Sequence, residues 1–188
     1  MKTPDPAPRR TRPPTRRRAF FIAIGVSAGL LTLGSGPARA DEATWALLKK
    51  GGQVVLVRHA LTDPGVGDPP GFTLDDCKTQ RNLSDVGRAE AKRLGAAFRE
   101  RNISVARVLS SPWCRCIETA KIAFGSTPQT DAALSNLFDR PGNRERQVAA
   151  FKELISKAPK QGNLVLVTHG STTLAFTGVA RPRPRWSW

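Results

Sequence analysis

The chain has only two histidines, and each stands just past a run of apolar, mostly β-branched residues: Val54-Val55-Leu56-Val57-Arg58-His59 and Leu164-Val165-Leu166-Val167-Thr168-His169. A neutral imidazole held in place carries one accessible lone pair, so it can attack phosphorus and carry the phosphoryl group covalently. Phosphoryl transfer otherwise asks a protein mainly for positioning and for cations around the equatorial oxygens. Arg58 adjoins His59, and Arg115 follows another strand-like run. The planar guanidinium fork donates two parallel hydrogen bonds to phosphate oxygens and stays charged. Three separate segments could therefore converge on one small anion.

The elements that must do the converging follow from hydrophobic pattern and punctuation. Continuous apolar runs of this length read as strands buried on both faces under helices. If the two are parallel neighbours, both imidazoles reach the carboxyl edge of one sheet, where open α/β folds bind ligands. Asp41 is a candidate cap for a short helix that stops at Gly51-Gly52. Thr62 to Leu83, rich in Pro, Gly and Asp, reads as a long loop over the strand end. Ser84 caps a helix over Asp85–Arg101, Val105–Leu109 is a second strand, and Pro112 opens a helix through Arg115 to Phe124. Residues 126–142 read as irregular. An amphipathic helix over Asn143–Lys157 and a short one over Ser171–Thr177 flank the His169 strand. Strands alternating with helices predict an α/β three-layer sandwich with a mainly parallel sheet. In this scheme Trp113 packs in the core or at a rim, Glu90 and Glu100 are solvated helix charges, and Arg115 has a competing local partner in Glu118.

Four strings, taken in order, resemble the signatures of the histidine phosphatase superfamily, the phosphoglycerate mutase-like proteins. They are Arg58-His59-Ala60-Leu61-Thr62, then Asn82-Leu83-Ser84-Asp85-Val86-Gly87, then Ser110-Ser111-Pro112-Trp113-Cys114-Arg115 with Glu118-Thr119-Ala120, and finally Thr168-His169-Gly170. The resemblance implies a phosphoglycerate mutase-like fold with His59 as the phosphorylated nucleophile. It implies that Arg58, Arg115 and His169 form the phosphate pocket, with Thr62 and Ser111 binding substrate at its rim. Ala60 stands where the family most often has Gly. The family's proton-donating carboxyl has no recognisable counterpart: Leu134-Ser135-Asn136-Leu137-Phe138-Asp139 occupies that region, and an amide cannot act as an acid. Asp139 is the first candidate for the role and Asp63 the second. Family members usually add a strand after the last helix, whereas this chain runs into Arg181-Pro182-Arg183-Pro184-Arg185-Trp186-Ser187-Trp188, whose alternating Pro does not supply a ladder of donors.

A chain of 188 residues, 39% hydrophobic and 24% charged, suffices for one domain with a core. Its formal charge of +15 would suggest nucleic acid, but eight Lys or Arg against one Asp lie in residues 1–40. Those forty residues read as an export signal. They comprise a Pro/Arg-rich start, Arg17-Arg18-Ala19-Phe20-Phe21 in the manner of a twin-arginine signal or simply a positive amino end, an apolar stretch to Leu33, and Ala38-Arg39-Ala40 for cleavage. The expected division is residues 1–40 export signal, 41–180 phosphatase-like domain and 181–188 a disordered basic tail. Cys77, Cys114 and Cys116 permit one long-range bridge, from Cys77 to either of the others, if the compartment is oxidising. Their spacing does not suit a metal cluster, so neither metal nor other cofactor is expected. The expectation is a periplasmic or secreted phosphomonoesterase acting on a small phosphorylated substrate, with no nucleic-acid partner and membrane contact only through the signal. The alternatives are a phosphomutase and a non-catalytic envelope protein that binds a phosphorylated ligand.

Overall fold

The computed structural model describes residues 42–138, 141–157 and 159–179. The expected export signal over residues 1–40, Asp41, Asp139 and the basic tail therefore lie outside the described residues, and the described residues all fall in one unit spanning residues 39–188.

Four strands form one sheet in the order β1-β4-β2-β3. They are β1 (Val54–Arg58), β2 (Val105–Ser110), β3 (Gln129–Thr130) and β4 (Asn163–Thr168), and every pairing is parallel. Around them run α1 (Glu42–Lys50), α2 (Asp85–Glu100), α3 (Cys114–Phe124), α4 (Arg144–Ser156) and α5 (Gly170–Thr177). Because side chains alternate along a strand, β1 and β4 feed two cores. Val55, Val57, Val165 and Val167 pack with Trp45 of α1, Phe98 of α2 and Cys116 and Ala120 of α3. Val54, Leu56, Leu164 and Leu166 pack with Leu134, with Phe151 of α4 and with Phe176 of α5. That is the predicted three-layer α/β arrangement.

Register sets up the site. Arg58 pairs with Thr168, and the His59 N–H donates to the Thr168 carbonyl at 2.9 Å. The two histidines therefore leave the sheet side by side. Ser84 caps α2 by accepting from the Gly87 N–H at 3.1 Å, as its position before an apolar period predicts. Gly87 also lets α2 lie against the loop, since a Cβ there would collide with the Leu61 carbonyl.

Three expectations need correction. β4 is buried at all six residues, but β1 is only half-buried throughout, because it is the sheet's outer strand and has a neighbour on one side only. The 126–142 stretch is not wholly irregular: it contains β3 and a helical turn, Ala132–Leu134, whose Ala133 N–H donates to the Asp131 side chain. Two residues of strand are too few to show alternation in a sequence. Glu90 is not simply solvated, since it accepts from the Leu61 N–H at 2.9 Å and holds the start of the long loop.

Candidate active site

A groove of about 1100 Å³ ends at the carboxyl edge of β1 and β4, where Arg58, His59, Arg81, Arg115, Asn136 and His169 line it. The imidazoles of His59 and His169 meet edge to face, with ring centroids 5.3 Å apart. The helices α3 and α5 both begin near this edge, so the positive ends of their dipoles add to the potential there.

His59 Nδ1 lies 2.9 Å from the carbonyl of Ala60. A carbonyl only accepts, so Nδ1 carries the proton and Nε2 keeps the lone pair. Burial, then the charges of Arg115, Arg58 and Arg81, push the His59 pKa from 6.5 to about 3, against the raising effect of the Ala60 hydrogen bond. The ring is thus neutral at any physiological pH. The peptide that supplies this carbonyl is itself held by α2, since its Leu61 N–H donates to Glu90 at 2.9 Å, while the preceding Ala60 N–H donates to Thr119 Oγ1 of α3 at 3.1 Å.

His169 is held from the other side. Ser111 Oγ is 2.8 Å from its Nε2 and lies within reach of the Trp113 N–H, which can donate to it. When Ser111 donates to Nε2, the proton of the neutral ring sits on Nδ1. Nδ1 is buried and has no partner, a donor available to an anion. Burial first, then the charges of His59, Arg115 and Arg58, hold the His169 pKa well below its usual value. Arg58 lies over Gly170, where a Cβ would approach its Cζ to 3.2 Å, so the small residue makes room for the guanidinium.

Arg115 is 1% exposed and does not pair with Glu118, which is taken by Arg88 at 3.0 Å. Its partner is Asp68, from the long loop. Nη1 donates to Oδ1 at 2.6 Å and Nη2 to Oδ2 at 3.1 Å. The Asp68 carboxylate also accepts from the Trp113 indole at 3.0 Å and from the Arg81 N–H at 3.0 Å. Burial raises the carboxyl's pKa, but the hydrogen bonds from Arg115 and Arg81, the Arg115 charge and the indole outweigh it and hold it below the usual carboxylate range. The loop is tied to α3 by a Cys77–Cys114 disulfide. Cys116 stays a buried thiol, pushed up to about 12 by burial.

The structure therefore brings His59, Arg58, Arg115 and His169 together. Ser111 sits behind His169 and would reach substrate only through it. Thr62 is buried, its backbone bridged to Leu83, and does not line the groove. Asp63 is exposed and does not line it either. Asn136 does, its Oδ1 accepting from Ser171 Oγ at 2.7 Å and from the Phe138 N–H at 3.1 Å. Among the described residues no carboxyl group lines the groove, and no cluster of side chains suits a metal. Sequence reasoning missed Arg81 and Asp68. Arg81 directly precedes the Asn82-Leu83-Ser84 string, a signal that could have been used; Asp68 sits among other loop aspartates and carries none.

Comparison with known proteins agrees with this geometry. Residues 54–138 match the histidine phosphatase superfamily (branch 1). No match is found among curated proteins. Among solved structures, SixA of Agrobacterium tumefaciens is 25% identical, with 66% of this chain and 72% of that one covered and a TM-score of 0.48. A mycobacterial glucosyl-3-phosphoglycerate phosphatase is 21% identical, with coverages of 66% and 79% and a TM-score of 0.47. The product of an open reading frame of Mycobacterium tuberculosis is 19% identical, with coverages of 65% and 76%, and its TM-score of 0.50 speaks to the fold. The order of the motifs, the parallel sheet that gathers them and the match over residues 54–138 point the same way: this part of the chain is similar to the histidine phosphatase superfamily.

Proposed function

We propose that the protein is an exported phosphatase that hydrolyses a small phosphomonoester through a phosphohistidine on His59. The observation that carries this reading is the fixed state of His59: a buried, neutral ring with its proton committed to Ala60 and its Nε2 lone pair facing a cationic groove. In the first step Nε2 attacks phosphorus, the N–P bond forms, and the P–O bond to the leaving group breaks. Arg58, Arg115 and the Nδ1–H of His169 take up the charge on the equatorial oxygens. In the second step water attacks the phosphohistidine, releasing inorganic phosphate and a neutral His59. The leaving oxygen needs a proton, and Asp139 is the proposed donor: its chain neighbour Phe138 lines the groove. The same carboxylate would accept the proton of the attacking water. Export is supported by the leader-like composition of residues 1–40 and by the Cys77–Cys114 bridge, which suits an oxidising compartment.

The test is a panel of phosphate esters with quenched-flow trapping of labelled protein. An acid-labile, base-stable phosphoenzyme that disappears in His59→Ala is expected; steady hydrolysis by that variant sinks the reading. Asp139→Asn should slow alkyl phosphates far more than a nitrophenyl phosphate, whose leaving group needs little protonation. Equal effects on both would remove Asp139 from the mechanism.

A further inference from the structure

Arg115 offers five N–H donors, and their partners can be counted. Asp68 Oδ1 and the Arg81 carbonyl take Nη1, at 2.6 and 3.4 Å, and Asp68 Oδ2 takes one hydrogen of Nη2 at 3.1 Å. The second Nη2 hydrogen and Nε–H remain, and Nε is buried with no partner. These two lie on the same edge of the guanidinium and point the same way, so they form a second fork in the same plane, set at about 120° to the one Asp68 fills. A buried donor left without an acceptor is costly, and an anion bound on that edge removes the cost.

From this we infer that Asp68 is a positioning residue for substrate: its carboxylate grips the end of Arg115 and thereby dedicates the Nε–Nη2 edge to two phosphoryl oxygens. The inference rests on the phosphatase reading for the identity of the anion. Asp68 is itself held at four points, by both Arg115 nitrogens, the Trp113 indole and the Arg81 N–H, and its side chain is 0% exposed. The Cys77–Cys114 bridge fastens the loop that carries it to the first residue of α3, one position before Arg115. Carboxylate and guanidinium thus belong to one braced unit. A lysine at position 115 could not reproduce it, having no planar edges to divide between two partners.

The test is calorimetric binding of inorganic phosphate and of orthovanadate, which does not require turnover. Asp68→Asn should weaken both by about tenfold or more, the loss expected when one charge-assisted fork is no longer aimed. Added to Arg115→Lys, it should cost almost nothing further, because it acts only through Arg115; a purely structural role would add its penalty in either background. Unchanged or tighter binding by Asp68→Asn overturns the inference, and tighter binding would make Asp68 a competitor for the anion instead. Should that variant not fold, the unaltered protein decides: the Arg115 Nε–H resonance should move on phosphate addition, and a resonance that stays put at saturation overturns it equally. Weakened binding in a protein that turns over no ester would count against the phosphatase reading and not against this one.

Discussion

At the scale of single residues the site is a set of donors and one lone pair, each assigned by its neighbour. The Ala60 carbonyl selects the His59 tautomer, Ser111 holds His169 and Asp68 holds Arg115. Substituting His59 by Ala should lower turnover by more than about 10³-fold, since nothing else in the groove can take its place as nucleophile; steady-state assay checks this. The pH dependence of stability follows from the same ring. Below pH 6.5 an unfolded chain takes up a proton at this position that the folded chain refuses down to about pH 3. Stability should therefore fall as pH drops through that window, by about 1.4 kcal/mol per unit from His59 alone and more steeply with His169, whose pKa is also held down. Bound phosphate favours the charged ring and should flatten the slope, which denaturant melts with and without phosphate would reveal.

At the scale of elements, the close crossing of α2 and α3 and the fastening of the long loop make the site possible. Gly95 lets α2 approach α3 so closely that a Cβ would collide with the Ala123 carbonyl. Gly95→Ala should destabilise by about 3 kcal/mol, measurable as a lower Tm. Opening the Cys77–Cys114 bridge frees a segment of 37 residues in sequence separation. Loop-closure entropy gives about 4 kcal/mol for that length. Reduction should lower activity along with stability, because Asp68 and Arg81 ride on the released loop; assays across a range of dithiothreitol concentrations measure both. The sequence made the helices and three of the four strands legible, since their apolar periods are long and their caps ordinary. It could not show β3, which borrows its pairing from β2, nor choose between Cys114 and Cys116, a choice set by which side of α3 faces the loop. His59, His169 and Arg115 stood out because each follows a strand; Asp68 did not, because its partners are 13 to 47 positions away.

At the scale of the whole molecule the charge is unevenly spread, and the proposed export signal carries much of it. Removal of residues 1–40 would take away eight Lys or Arg and one Asp, lowering the formal charge from +15 to +8. Mass spectrometry of protein recovered from outside the cytoplasm should find Asp41 at the amino end and Cys77 joined to Cys114; an intact leader in that fraction would contradict the export proposal. The bridge sets a condition on when the molecule can work. A chain newly made where thiols are kept reduced would hold both histidines ready, yet lack the bridge that fastens the brace on Arg115. Such a protein would pass through the compartment of its synthesis with a weakened hold on the phosphate esters stored there, and its full rate would await an oxidant.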